Sequence, residues 1–121
     1  GVPKTQIKEA LDRGLDVILK VDVQGATTIK RLIPEAVFIF LAPPSLEELD
    51  RRLQERRTEH PRYRDVRIRA ALKELAKVPM FDYVVVNERD RLDEAVAKIE
   101  AIITAEKCRV VPRKITLPDK V

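Results

Sequence analysis

The nine residues at 17–25, VILKVDVQG, decide the fold class of this chain. Their apolar run, broken only by Lys20, is typical of a strand that is covered on both faces in a parallel sheet. The run ends at Asp22, and Gly25 follows just before a helical pattern begins. Ligands of α/β proteins bind at the carboxyl ends of parallel strands, so Asp22 lies where a carboxylate would serve a metal–phosphate site. The local pattern equally fits a carboxylate that caps the next helix.

The composition is that of a single globular domain. The chain has 121 residues, of which 45% are hydrophobic and 36% are charged with both signs mixed. A net charge of +4 favours an anionic ligand but does not distinguish phosphates from nucleic acid. Cys108 and His60 are the single cysteine and the single histidine, which excludes an internal disulfide framework and a Cys/His zinc cluster. This cysteine usage favours a reducing cytoplasm, and no apolar run is long enough to span a bilayer.

Two further apolar stretches predict strands, and the segments between them predict helices. The stretches are residues 36–42, AVFIFLA, and residues 81–87, FDYVVVN. With a first strand at about residues 16–21 they predict three parallel strands that alternate with helices, which is an α/β fold. Helices are expected from Pro3 to a stop at Gly14, after Gly25, at about 46–57 behind a capping box of Ser45 and Glu48, at about 65–78, and from Asp90.

Arginines are concentrated between the second and third predicted strands. Eight of them lie from Arg51 to Arg69, and Arg52 and Arg56 share a helix face because they are four residues apart. Guanidinium groups brought in by two helices could clamp a polyphosphate and neutralise charge in phosphoryl transfer. On composition alone, a solvated and salt-bridged helical hairpin is the favoured explanation. RNA binding is a third alternative, with only Tyr63 available for base stacking.

Two other features bear on a phosphate site. Asn87, at the end of the third predicted strand, fits a hydrogen bond to a base, although the capping of a turn is the more common role of such a residue. The three glycines, Gly1, Gly14 and Gly25, are scattered along the chain. The sequence therefore contains no glycine-rich loop whose backbone amides would hold a triphosphate.

Taken together, these motifs resemble the guanylate kinase family. The matching segments are 1–4 (GVPK), 21–26 (VDVQGA), 40–49 (FLAPPSLEEL), 52–53 (RL), 56–59 (RRTE) and 81–87 (FDYVVVN). They follow the family order without an evident gap from Gly1 to about Lys107. The resemblance implies that residues 1–107 are the C-terminal part of a guanylate kinase-like domain, with a lid at about 52–68, and that 108–121 are a basic tail. The family's P-loop and most of its GMP-binding lobe precede the matched part.

The resemblance implies a partial P-loop nucleoside-monophosphate kinase fold and transfer of the ATP γ-phosphate to GMP, with Mg²⁺ accompanying ATP. Asp22 matches the family carboxylate close to GMP and to the metal–phosphate centre, where it would reach Mg²⁺ through water and not as a direct ligand. Arg56 and Arg67 match lid arginines that stabilise the transferring group, and Arg52 matches a lid arginine that binds ATP. Asn87 matches the asparagine at the adenine end of ATP.

Some positions depart from the family pattern. Gly1 keeps its place at the edge of the GMP-binding lobe, but Val2 stands where the family has a hydroxyl that helps to hold GMP. Lys20 replaces an acidic residue, and Arg57 replaces a glycine of the lid turn. Val2 and Lys20 favour an alternative function, a non-catalytic guanylate-kinase-like module that binds proteins. The retained carboxylate, arginines and asparagine favour the enzyme.

The resemblance also sets expectations about activity and partners. Because the matched part lacks the P-loop, the chain alone is expected to be inactive, whereas the full-length parent would phosphorylate GMP to GDP. ATP and GMP are the expected ligands, and neither a membrane nor nucleic acid is expected. A missing N-terminal part, or a second copy paired through exposed strand edges, is the expected macromolecular partner. The expected location is the cytoplasm.

Overall fold

The computed structural model describes residues 4–45, 61–88 and 90–118, with the backbone alone described at 61–64. The chain forms two compact units, Gly1–Ala36 with Arg113–Val121, and Val37–Pro112. The described elements are α1 (Lys4–Asp12), α2 (Val23–Leu32), β1 (Ile39–Ala42), α3 (Pro61–Leu75), a 3₁₀ turn (Val78–Met80), β2 (Tyr83–Val86) and α4 (Leu92–Lys107). The α/β class is therefore confirmed. The helix predicted at 46–57, with Glu48 of its capping box, lies outside the described residues.

The end of α1, in the first unit, follows the prediction made from Gly14. This glycine has a φ of 76°, in the left-handed region that L side chains rarely adopt. The backbone N–H of Gly14 donates to the carbonyl of Leu11 at 2.9 Å, and the N–H of Leu15 donates to the carbonyl of Ala10 at 2.9 Å. These two bonds form a Schellman motif, which satisfies carbonyls that the helix leaves unpaired.

The stretch at residues 16–21 differs from the prediction, because it forms neither a helix nor a strand. Among the described residues only β1 and β2 make up a sheet. Ile18 is 75% exposed and Val21 is 41% exposed, although both belong to the run that predicted a buried strand. An apolar run predicts burial, but a strand also needs a neighbouring strand to accept and donate its backbone hydrogen bonds. No described segment supplies that neighbour.

The sheet of the second unit is formed by β1 and β2, which run parallel with Ile39 opposite Tyr83 and Ala42 opposite Val86. Backbone hydrogen bonds extend the pairing past both ends of the strands. The N–H of Tyr83 donates to the carbonyl of Phe38 at 3.1 Å, and the N–H of Asn87 donates to the carbonyl of Ala42 at 2.8 Å. The predicted strands at 36–42 and 81–87 are thus present, with shorter regular cores.

Aromatic rings pack beside this sheet. Phe38 is 6% exposed and Phe40 is 7% exposed. The ring of Phe81 meets both of them edge to face, with centroid distances of 6.4 Å to Phe38 and 5.2 Å to Phe40. Helix α4 packs on β2, where Ala95 is 3% exposed and Val85 is 2% exposed. These contacts hold β1 and β2 in one core and so fix the ends of the strands relative to each other.

One edge of β1 carries no partner strand in the described part of the chain. The carbonyls of Phe38 and Ala42 accept hydrogen bonds from the β2 side. The backbone groups of successive residues in a strand point to opposite edges, so those of every second residue face β2. The backbone groups of Ile39 and Leu41 therefore point to the opposite edge. No charged residue or proline interrupts residues 36–42, so the sequence has none of the features that commonly protect a free strand edge.

Helix α4 begins two residues later than Asp90, from which the sequence predicted it to start. Asp90 has a φ of 60°, and Arg91 takes the N-cap position without a capping side-chain bond. The guanidinium of Arg91 instead donates to Glu94 Oε1 at 2.8 Å. That hydrogen bond and the charges of Glu94 and Glu88 raise the pKa of Arg91. The acidic first turn, with Asp93 and Glu94, suits the positive end of the helix dipole.

Candidate functional site

Asp22 is the N-cap of α2. Its ψ of 176° is extended, and its Oδ1 accepts a hydrogen bond from the backbone N–H of Gly25 at 2.7 Å. The carbonyl of Asp22 accepts from the N–H of Ala26 at 2.9 Å, which starts the helix. The residue is exposed, and its Oδ2 makes no hydrogen bond to a described residue. The capping role inferred from the sequence is therefore realised, and one carboxylate oxygen faces solvent.

Gly25 is needed because the capping carboxylate lies against it. A β-carbon at this position would lie 3.2 Å from Asp22 Oδ1 and 3.1 Å from the Cβ of Val21. Both distances are tighter than ordinary van der Waals contact, so a side chain here would displace the capping group. Asp22 and Gly25, which the sequence singled out separately, form one local structure.

A second candidate site is a cavity of about 240 Å³ at the carboxyl ends of β1 and β2, beside α3. Most of its described lining is apolar, and the polar residues among the described ones are Glu74 and Asn87. The apolar lining residues are Phe40, Leu41, Ala42, Pro43, Ala71 and Leu75. The hydrogen bond from Asn87 to the carbonyl of Ala42 anchors the backbone of the asparagine to the sheet. Open parallel sheets bind ligands at this end of their strands.

Helix α3 connects this cavity with one of the predicted arginines. Arg67 is exposed on α3, one turn before Ala71 and two turns before Glu74. Positions i, i+4 and i+7 share a helix face. At 1.5 Å of rise per residue, the Cα atoms of Arg67 and Glu74 are separated by about 10 Å along the helix axis. One face of α3 thus carries a cation at one end and a cavity-lining carboxylate at the other.

The predicted site residues do not all belong to one unit, and some of them lie outside the described residues. Arg67 and Asn87 belong to the second unit, and Asp22 belongs to the first. Arg52, Arg56 and Gly1 lie outside the described residues, as do Val2 and Arg57. Glu74 was not predicted as a site residue. The signal that could have revealed it is its position seven residues after Arg67 on the same helix face.

None of the described Asp, Glu, His and Cys side chains form a group of three or more that could hold a metal ion. Within the same residues, no helix is both long enough and apolar enough to cross a membrane.

A parallel sheet with a partly polar cavity at the carboxyl ends of its strands is typical of the class of open-sheet α/β proteins, which bind their ligands there. Comparison with known proteins narrows this class, since the family model described as guanylate kinase matches residues 1–106. The chain belongs to the guanylate kinase family. The resemblance predicted from its motifs, which runs from Gly1 to about Lys107, is thereby confirmed.

Individual relatives agree with this assignment. The guanylate kinase of Clostridium tetani is 47% identical over 110 residues, covering 91% of this chain and 52% of the relative. That of Thermus thermophilus is 50% identical over 109 residues, covering 90% of this chain and 49% of the relative. The crystal structure of guanylate kinase from Anaplasma phagocytophilum has a TM-score of 0.72 and 32% identity, covering 91% of this chain and 51% of that one. This chain therefore spans about half the length of the relatives that it matches.

Proposed function

We propose that these residues are the C-terminal part of an ATP:GMP phosphotransferase located in the cytoplasm. The relatives that carry the name guanylate kinase support this function, as does the family match over residues 1–106. The structural observation that carries the proposal is that Asn87 and α3, the helix of Arg67, meet at the carboxyl end of the sheet. In this proposal the kinase-like domain is residues 1–107, its lid is about 52–68, and 108–121 are a tail.

The cavity at Asn87 is proposed to hold the base of ATP. Its apolar side chains offer a surface for an aromatic ring, and the amide of Asn87 offers both a donor and an acceptor to the ring edge. The hydrogen bond from the backbone N–H of Asn87 to the carbonyl of Ala42 supports this role, because it fixes the position of the Asn87 backbone from which the side chain extends.

The phosphates are proposed to lie toward Arg67. A guanidinium binds phosphate oxygens through paired hydrogen bonds and stays charged at all working pH values. Arg67 is exposed and so is accessible to a bound nucleotide. By the family resemblance, Arg52 and Arg56 would add positive charge from the lid. Their combined role is to neutralise the charge that develops on the transferring group.

Asp22 is proposed to face the metal–phosphate centre and GMP. One of its oxygens caps α2 and the other is exposed to solvent, so the residue can accept a hydrogen bond from a metal-bound water without losing the cap. A single carboxylate fits Mg²⁺, which keeps several waters and takes its remaining ligands from substrate phosphates. When bound, Mg²⁺ would neutralise phosphate charge during transfer. Gly1 is proposed to lie at the edge of the GMP site.

A second candidate function is a non-catalytic module that binds proteins. Lys20 favours it, since this lysine is exposed two residues before Asp22 and reverses the family's charge there. Val2 favours it as well, because it cannot donate the hydroxyl bond to GMP. A lysine near the GMP site would weaken a kinase only if it disturbs GMP binding. Turnover and GMP affinity are therefore the quantities that distinguish the two functions.

The test uses two proteins, the 121-residue chain and a longer chain with an N-terminal P-loop half from a family member. Release of ADP from ATP and GMP is followed in a coupled assay. We expect no measurable turnover from the short chain, because its sequence contains no glycine-rich loop whose backbone amides would hold the β- and γ-phosphates, and turnover of about 1–100 s⁻¹ from the longer one. A longer chain that folds but neither turns over nor binds GMP would favour the non-catalytic module.

A further inference from the structure

The charges around the Asn87 cavity are unlike those of a phosphate site. Among the described residues that line it there is one carboxylate, Glu74, and no lysine or arginine. The side chain of Glu74 makes no ion pair or hydrogen bond to any residue in the described part of the chain. A carboxylate repels phosphate oxygens, so this cavity disfavours the charged part of a nucleotide and favours an uncharged group.

The polar groups of the cavity also specify which uncharged group fits. A carboxylate can only accept hydrogen bonds. Glu74 therefore gives the described lining of the cavity an acceptor, which is matched by a flat ring that bears N–H groups. The apolar side chains around it, including Phe40 and Leu75, suit the faces of such a ring.

The direction of α3 is consistent with a nucleotide that lies along it. Arg67 and Glu74 share a face and are about 10 Å apart along the axis. A ligand whose base contacts Glu74 would extend its phosphates toward Arg67. The N–H groups of the base would then meet an acceptor, and the negative phosphates would meet a cation. The reverse orientation would place phosphates against the carboxylate of Glu74.

We infer that Glu74 is a specificity-determining residue, which accepts a hydrogen bond from the exocyclic amino group of the adenine base of ATP. The inference rests on the proposed function, because it assumes that the cavity holds the base of ATP. It adds a reason for base selection that Asn87 alone does not supply. Loss of a hydrogen bond to a charged group costs about tenfold or more in affinity.

The test compares two ligands that differ only at this amino group. ATP carries it, and purine riboside triphosphate has a hydrogen in its place, so their phosphates and sugars contribute equally. Binding to the 121-residue chain is followed by NMR, with the side-chain amide of Asn87 as the reporter, which suits weak affinities. We expect the wild-type chain to bind ATP about tenfold more tightly than purine riboside triphosphate.

The variant Glu74→Ala is expected to bind the two ligands with affinities within about twofold of each other, because the acceptor is gone. Its matched control is Glu100→Ala, which removes an exposed carboxylate from α4, away from the cavity. The control is expected to keep the wild-type preference for ATP. Alanine has the highest helix propensity, so both variants are expected to fold, and circular dichroism checks this.

The outcomes separate this inference from the proposed function. If the wild-type chain binds ATP at Asn87 but shows no preference over purine riboside triphosphate, the role of Glu74 is overturned while the ATP site stands. The same conclusion follows if Glu74→Ala keeps the preference. If neither ligand shifts the Asn87 amide at millimolar concentration, the ATP site itself is refuted, and Glu74 with it. The first comparison uses only the wild-type chain, so it decides even if a variant misfolds.

Discussion

Asp82 and the backbone of Phe38 are joined by two hydrogen bonds that run in opposite directions. Asp82 Oδ2 accepts from the N–H of Phe38 at 2.8 Å, and the N–H of Asp82 donates to the carbonyl of Phe38 at 2.8 Å. The pair lies at the start of the parallel strands, whereas the Ala42 and Asn87 pair closes the other end. It therefore helps to set the register that places Asn87 at the cavity.

Replacing Asp82 tests this role. Phe38 is 6% exposed, so Asp82→Ala would leave its N–H buried without this acceptor. We expect the free energy of unfolding to fall by about 1–3 kcal/mol. Asp82→Asn keeps an oxygen acceptor and should lose less than half as much. The measurement is urea denaturation of both variants, and equal losses would show that the carboxylate does not act through this hydrogen bond.

The capping role of Asp22 can be separated from its proposed catalytic role. Asp22→Ala removes the bond to Gly25 and should reduce the free energy of unfolding by about 1 kcal/mol, whereas Asp22→Asn should change it little because asparagine caps equally well. In the longer chain with the P-loop restored, both variants should lose turnover, because neither keeps the negative charge. Thermal unfolding and the coupled ADP assay give the two readouts. Full activity of Asp22→Asn would refute the catalytic role.

Arg67 is expected to act specifically and not as part of a diffuse basic surface. In the longer chain, Arg67→Ala should reduce turnover by roughly 10³-fold or more, by analogy with arginine fingers. Arg69→Ala is the matched control, because Arg69 is exposed two residues further along α3 and so lies on a different face. It should change turnover by less than about threefold. Similar losses from both variants would indicate that only the overall charge matters.

The unpartnered edge of β1 leads to a prediction about association. The backbone groups of Ile39 and Leu41 face this edge, and Leu41 is 53% exposed. Because free apolar edges recruit other strands, we expect the 121-residue chain to self-associate at high micromolar concentration. Leu41→Lys should shift it toward monomer, whereas Val66→Lys, on α3 at a position that is 61% exposed, should not. Size-exclusion chromatography with light scattering decides this, and a monodisperse monomer at all concentrations would contradict it.

Local sequence patterns predicted the features that depend on neighbouring residues. Gly14 predicted a helix end, and the residues at 36–42 and 81–87 predicted strands. The pattern at Asp22 fitted a helix cap as well as it fitted a metal–phosphate carboxylate. The strand predicted at 16–21 does not form, since a strand requires a partner that can be far away in sequence. Glu74 was missed for a related reason: the cavity it lines is made by β1, β2 and α3 together. Periodicity reveals the face of one helix but not what that face meets.

The bond between the N–H of Asn87 and the carbonyl of Ala42 has a consequence for how this protein can vary. This bond ties the backbone of Asn87 to the regular sheet, so the strand fixes where the asparagine lies. We therefore expect insertions or substitutions after Glu88 to accumulate without displacing the side chain that is proposed to contact the base of ATP. Among homologues, the length of that segment is expected to diverge freely, while the separation between Asp82 and Asn87 stays constant.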